Sequence, residues 1–436
     1  LSKIFFAKLD ELQKYRMELA MIIQREIAVV FSALMPGMVS PALLANLILA
    51  LVVSLVVCTL NIATERWHGR YSLDLDTAGI QKVHLKTVPR TGGIALVAGM
   101  IAVAVFGAFD ETSSSQGQEA RNAMFKLMVA AVPAFVAGIT EDLTKKVSPR
   151  IRLYAILASA CLAVWLMSAS LPRLDVWGLD SALKLLPVSI AITLFAVAGV
   201  TNSINIIDGF HGVAGFTIVI VLAGVGYLSW EAGDLMVMQL AVAGIGATIG
   251  FLILNYPTGR LFMGDGGAYF LGFWAAELAV LLVVRNPNIN AWQIFAIYAY
   301  PVIEVLFSIY RRKILHNTFV DAPDRLHLHS LFYRRFARQK ISRKKYPWSC
   351  NAGVACFVAG WIGIATAAAV LIGDTIPVAL ALVLIQVVLY VAVYMRLVRG
   401  HWGHCRNLAV MLGLRPQPRG SAMDDDVFAA GPHVVG

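Results

Sequence analysis

Apolar residues in this chain come in long unbroken blocks rather than in the alternations of amphipathic elements. A hydropathy reading finds eleven blocks, at about 42–60, 92–109, 122–140, 153–170, 185–201, 213–230, 236–254, 267–284, 292–310, 351–371 and 377–396. Each is close to the ~20 residues a helix needs to cross the ~30 Å hydrocarbon core. Lipid offers no partner for backbone N–H and C=O groups, so contiguous blocks of this length predict helices rather than a barrel. The pattern therefore predicts an all-α integral membrane protein of about eleven transmembrane helices. The connections are of two kinds. Short ones near 110–121, 171–184, 231–235, 285–291 and 372–376 carry few basic residues. The others hold Arg66, Arg70, Lys82, Lys86, Arg90, Lys145, Lys146, Arg150, Arg152 and the basic run from Arg311 to Lys345. Excess Lys and Arg marks the cytoplasmic side. These loops are expected in the cytoplasm, with the N-terminus outside, the tail inside and the substrates drawn from the cytosol.

Composition sharpens the class. The chain is 58% hydrophobic and 14% charged over 436 residues, where soluble domains carry roughly 25% charge. A net charge of +10 is read through topology and anionic headgroups, not nucleic acid. The five cysteines form no CxxC pair or regular framework, so neither a disulfide scaffold nor a zinc site is expected. Residues 1–40 alternate charge with apolar positions and start at Leu1. An interfacial amphipathic helix and an upstream extension both fit, the second being preferred. Residues 41–400 form the membrane domain, and 401–436 are expected to be a disordered cytoplasmic tail.

Candidate chemistry lies almost entirely in the basic loops. In Thr201-Asn202-Ser203-Ile204-Asn205-Ile206-Ile207-Asp208-Gly209, two amides and a carboxylate follow one helical stripe to the mouth of a span. Polar groups at that depth are costly without a partner, a cavity or an ion. Glu141-Asp142 closes the third span, where adjacent carboxylates usually serve a cation or a proton. Lys145, Lys146, Arg150 and Arg152 beside them could hold phosphate. Gly264-Asp265-Gly266-Gly267 presents a carboxylate without side-chain crowding. Together with Asn205 and Asp208 it supplies hard oxygen ligands suited to Mg²⁺. Pro89-Arg90-Thr91-Gly92-Gly93, preceded by Lys86, forms a turn at a helix start where free N–H groups favour anions. Arg325, His327 and His329 make a poor zinc site but a reasonable phosphate-binding group. Each of these loops also has a plain reading as a helix cap, a packing contact or a solvated anchor; their convergence favours function.

The stretches HLKTVPRTGG, EDLTKKVSPRIRL, TNSINIIDGFHGVAGF, NYPTGRLFMGDGG and DRLHLHS, in this order, resemble the polyprenyl-phosphate N-acetylhexosamine-1-phosphate transferases, which include the bacterial MraY and WecA enzymes. The resemblance spans about 42–400. Two departures stand out: Glu141-Asp142 replaces the usual Asp-Asp, and Ser330 stands where WecA-like enzymes show a third His. The basic loop is closer to the WecA branch. The resemblance implies Asn205 and Asp265 as Mg²⁺ ligands (Mn²⁺ being an alternative), and a catalytic group of Glu141, Asp142 and Asp208. It places Asp142 by the lipid phosphate, and Asp208 and Asn202 by the nucleotide-sugar. Lys86, Arg150 or Arg152, Arg325, His327 and His329 would hold diphosphate or lipid phosphate. The implied reaction moves a HexNAc-1-phosphate from a UDP-N-acetylhexosamine to undecaprenyl phosphate, releasing UMP and starting a lipid-linked polysaccharide such as O-antigen. It would take place in the bacterial inner membrane, with a homodimer left open. The rivals are an MraY-type muramyl-pentapeptide reaction and, from another class, a lipid-linked sugar transporter. The gathering of polar residues at one face argues against transport.

Overall fold

The computed structural model describes residues 40–72, 88–109, 116–315, 326–337, 341 and 348–399. The expectations for residues 1–39 and 400–436, and for Lys86 and Arg325, lie outside the described residues. The elements are α1 Pro41–Ala63, α2 Glu65–Ser72, α3 Gly92–Phe106, α4 Gln116–Thr144, α5 Pro149–Met167, α6 Leu179–Leu183 and α7 Leu186–Ile207. They continue with α8 Val213–Glu231, α9 Leu235–Asn255, α10 Gly264–Arg285, α11 Ala291–Tyr310, α12 Leu328–Phe332, α13 Ser349–Ile372 and α14 Ile376–Arg399. All eleven apolar blocks are helices, and the chain is an all-α multi-pass membrane protein. Ten are long and apolar enough to cross a membrane. The exception is α3, whose 15 residues reach only about 22 Å.

Caps set several boundaries. Ser40 and Ser148 each stand before a proline that opens a helix, and their side chains accept the N–H groups of Leu43 and Ile151. Asp234 and Asn290 cap α9 and α11 in the same way. Pro133 interrupts α4 without ending it. A neighbouring helix supplies a partner there, since Ala134 N–H donates to Ser159 Oγ on α5 at 3.0 Å.

The bundle is organised around α10. Of its apolar stretch 89% is buried, against 22% for α5 and α14 on the periphery. It packs on α4 and α7 along most of its length. The tightest approach elsewhere is α9 on α1, where Gly246 and Gly250 repeat at small-xxx-small spacing. A methyl group at either would lie 2.4 or 2.3 Å from the Leu47 or Leu51 carbonyl oxygen. The two ends of the bundle differ. At one, Arg173 bonds the carbonyls of Asn286, Pro287 and Ile289, Asp175 accepts Ala291 N–H, and Arg285 pairs with Asp234 and Glu119. At the other lie every described motif singled out in the sequence.

Gly250→Val should lower the thermal midpoint in detergent, with a cost of about 1–3 kcal/mol from overpacking. Gly199→Ala, where nothing lies within 4 Å of the added methyl, should leave it unchanged or raise it slightly, since Ala suits a helix interior better than Gly. Equal midpoints in a fluorescence-detected melt would contradict the α1–α9 packing.

Candidate active site

Three chain segments meet at the start of α10. Residues 89–93 run beside 262–263: Phe262 N–H donates to the Pro89 carbonyl, Gly92 N–H to that of Phe262 and Gly93 N–H to that of Met263, each at 2.9 Å. The last turn of α4 then brings in Asp142, which is 1% exposed. Its Oδ1 accepts Asp265 N–H at 3.0 Å and its Oδ2 accepts Gly266 N–H at 2.9 Å. A carboxylate on the free N–H groups of a helix start is favoured by both hydrogen bonding and the helix dipole. Arg90 Nε stands 3.9 Å from the same carboxylate. Only glycine fits at 264: its φ is +73°, and a methyl group would lie 2.4 Å from the Arg90 carbonyl oxygen and 2.5 Å from Asp142 Oδ2.

This junction aims Asp265. Its Oδ2 pairs with the Arg152 guanidinium from α5, and its Oδ1 accepts Asn205 Nδ2 from the end of α7 at 3.1 Å. Asn205 Oδ1 and the Asp208 carboxylate make no hydrogen bond among the described residues. Asp208 is half-buried with dense protein around its carboxyl group. That burial pushes it well above the ordinary carboxylate value; Arg90 opposes the shift, while Asp265 and Asp142 add to it.

The loop after Asp208 is fixed to the loop before α10. Gly212 N–H donates to Asn255 Oδ1 at 2.7 Å, and Asn255 Nδ2 donates to the Leu261 carbonyl at 2.7 Å. His211 is buried against Phe262. Burial pulls its imidazole below the ordinary value, with the Pro257 carbonyl at 3.3 Å opposing.

The histidine motif arrives from beyond α11. His327 Nδ1 lies 3.0 Å from Glu304 Oε1, and Leu328 N–H reaches the same oxygen at 3.1 Å. The His327 and His329 rings stack at 5.4 Å and 6°. A Cβ at Gly209 would sit 3.5 Å from His329 Nε2, so the pair borders the Asp208–Gly209 turn. Arg311 holds the segment by donating to the Leu326 carbonyl at 2.7 Å.

The structure thus brings together Asp142, Asp265, Asn205, Arg152 and Asp208, with His327 and His329 alongside. Glu141 accepts Val147 N–H at 2.8 Å, closing the loop after α4, and lies near enough to Arg152 to act on its charge. Asn202 Nδ2 donates back to the Ala198 carbonyl of its own helix at 2.8 Å. Arg150 is exposed and makes no ion pair among the described residues, so of the two arginines it is Arg152 that reaches the carboxylates. The sequence had drawn no role for Glu304, His211 or Asn255. For Glu304 a signal existed, an acid inside an apolar span; for Asn255 there was none.

The donor set fits a hard cation. Among the described residues no three His, Cys, Asp or Glu side chains are grouped as a ligand set. Among the described residues the Asn205 amide oxygen and the Asp208 carboxylate accept no hydrogen bond, and Asp142 and Asp265 are near enough to Asp208 to act on its charge. This is the pattern of an ion such as Mg²⁺, held by one or two protein oxygens and completed by phosphates.

Fold and loop cluster together describe a multi-pass membrane protein with acidic, basic and amide side chains gathered at one end of the bundle. The family model for glycosyl transferase family 4 matches residues 124–283. A Bacillus subtilis (strain 168) protein named "Probable undecaprenyl-phosphate N-acetylglucosaminyl 1-phosphate transferase" is 30% identical over 260 residues, 58% of this chain and 68% of that protein. An undecaprenyl-phosphate alpha-N-acetylglucosaminyl 1-phosphate transferase of Thermotoga maritima is 27% identical over 61% of this chain and 75% of its own length. A phospho-N-acetylmuramoyl-pentapeptide-transferase of Streptococcus thermophilus is 27% identical over a shorter stretch, 37% of this chain and 46% of its own. The chain belongs to glycosyl transferase family 4.

Asp208 gives a pH-dependent signature. A carboxyl raised in the fold costs nothing below the ordinary value of 3.8, where folded and unfolded forms are both protonated. It penalises the fold increasingly as pH rises from there to the raised value. Asp208→Asn should therefore raise the thermal midpoint by a few degrees at neutral pH, and the gain should shrink on acidification. A midpoint lowered at neutral pH would contradict the crowded-carboxyl account.

Proposed function

We propose that the protein transfers N-acetylhexosamine 1-phosphate, GlcNAc-1-phosphate being the first candidate, from its UDP-sugar to undecaprenyl phosphate, releasing UMP. The observation that carries this is Asp265, held at the head of α10 by Asp142 and faced by Asn205, Asp208 and Arg152 at one end of a lipid-embedded bundle. The names of the Bacillus and Thermotoga relatives support the same reaction. The site faces the cytoplasm of a bacterial inner membrane, in keeping with the basic residues around it.

A phosphate oxygen of the lipid attacks the β-phosphorus of the donor. The bond from that phosphorus to the bridging oxygen breaks, and UMP leaves with the bridging oxygen. The lipid phosphate is mostly dianionic at neutral pH, since its second pKa is about 6, so the reaction needs no obligatory base. Asp142, with both oxygens engaged by backbone N–H groups, acts by orienting Asp265. Arg152 and Arg90 offer positive charge to the diphosphate, with the His327–His329 pair bordering the same turn, and positioning with charge stabilisation is what phosphoryl transfer chiefly asks of a protein. Asn205 and Asp265 would hold Mg²⁺, or Mn²⁺ in its place, with Asp208 beside them. When bound, the ion neutralises charge on the diphosphate. The polyprenyl chain stays in the bilayer while its phosphate reaches the loop cluster.

The experiment is UMP release in detergent with undecaprenyl phosphate, Mg²⁺ and a panel of donors: UDP-GlcNAc, UDP-GalNAc, 6-deoxy analogues and UDP-MurNAc-pentapeptide. UMP formed only with lipid, and only with an unsubstituted amino-sugar donor, is the expected result. UMP from the muramyl donor alone would move the chain to the other branch.

In the same assay, Asp265→Ala should reduce turnover about 10³-fold and Arg152→Ala about 10²-fold, the scale of losing a preorganised charged group. Arg150→Ala should stay within about threefold, the small effect expected of an exposed residue with no ion pair among the described residues. Similar losses for the two arginines would contradict the assignment of Arg152. EDTA should abolish UMP release and Mg²⁺ should restore it; full activity in EDTA would remove the ion from the account.

A further inference from the structure

We propose that Glu304 is a positioning residue: it fixes His327 in the tautomer with the proton on Nδ1 and so orients the histidine pair toward the Asp208–Gly209 turn. The inference rests on the transferase reading for its kinetic consequence, though not for its structural content.

Glu304 lies on α11, one turn after Pro301, and is 1% exposed. A buried carboxylate in a span is expensive unless its oxygens are used, and here they are. Leu328 N–H reaches Oε1 at 3.1 Å and Oε2 at 3.3 Å, so both oxygens accept. His327 Nδ1 stands 3.0 Å from Oε1, and His329 Nδ1 stands 3.8 Å from Oε2. Tyr300 and Tyr390 are near enough to feel its charge from α11 and α14. An ionised carboxylate only accepts, so the hydrogen between it and His327 belongs to Nδ1. Nε2 is thereby the ring nitrogen without the proton. The parallel stacking of the two rings carries this orientation to His329, whose Nε2 borders Gly209. Phe210 closes the other side edge-on at 5.6 Å. A carboxylate behind a histidine is a familiar way to set which nitrogen works. Glu304 touches no reacting atom, so its effect passes through the rings.

Two variants separate orientation from bulk structure. Glu304→Gln keeps a carbonyl oxygen for Leu328 N–H, but its amide can donate to His327 Nδ1 and reverse the tautomer. Glu304→Ala removes the partner altogether. Ring-nitrogen NMR of ¹⁵N-histidine-labelled protein, assigned with His327→Asn and His329→Asn, reads the tautomer directly in the neutral ring. Wild type should show Nδ1–H for His327, and Glu304→Gln should shift it wholly or partly to Nε2–H. In the UMP assay kcat should fall about 10–100-fold, the usual cost of losing such a partner, with the donor KM moving far less and Glu304→Asp recovering part of the loss. An Nε2–H tautomer in wild type overturns the inference. So does a folded Glu304→Gln protein with an unchanged ring spectrum and unchanged kcat. Absence of UMP from every donor in wild type would count against the transferase reading instead, and the ring spectra would still decide the tautomer.

Discussion

The Asp142 carboxylate, accepting the N–H groups of Asp265 and Gly266, is the contact on which the rest of the site depends. It ties the end of α4 to the start of α10 in a place where neither could be satisfied alone. The first N–H groups of α10 have no partner inside their own helix, and a buried carboxylate has no water. Each removes the other's cost. The backbone must come very close for this to happen, which explains why 264 is glycine. Arg90 arrives through the pairing of residues 89–93 with 262–263 and balances the charge. With the start of α10 fixed, Asp265 has one place to point, and α5 and α7 supply the two side chains that meet it.

Much of the fold was legible because lipid enforces a simple rule. A backbone that must satisfy itself inside hydrocarbon forms contiguous apolar helices, and each of the eleven blocks became one. The ends were less legible. Hydropathy carried the second block to about residue 109, whereas the helix stops at Phe106 and Gly107 turns extended. It began the third near residue 122, whereas the polar first turns of α4 are helical from Gln116. Polar residues at a membrane surface continue a helix as readily as they end it.

Site residues were legible as types and stretches, not as geometry. Residue type alone did not tell Glu141 from Asp142, adjacent acids at a helix end. The extra methylene lets Glu141 curl onto Val147 N–H, while the shorter Asp142 lies under α10. Arg150 and Arg152 were likewise equivalent on paper, and helical phase decides: one faces out and the other faces Asp265. Asn202 shares a stripe with Asn205, yet its amide is spent on its own helix. Glu304 escaped notice because a single acid hardly lowers the hydropathy of an apolar block. Its significance appears only when His327 and Leu328, far along the chain, fold back onto it.

The two ends of the bundle divide the work. At the far end Arg173, Asp175, Glu119, Asp234 and Arg285 cross-tie loops with ion pairs and carbonyl contacts. At the site end Asp208 is held where its charge is costly, which is the usual cost of keeping a site ready for a cationic or phosphate-bearing ligand. The claim that most needs testing is that this site serves transfer at phosphorus. The direct measurement uses UDP-GlcNAc labelled at the β-phosphorus, with undecaprenyl phosphate as acceptor. The account predicts that the label enters the lipid together with the sugar while UMP is released. Label retained in released UDP, with sugar alone on the lipid, would contradict it.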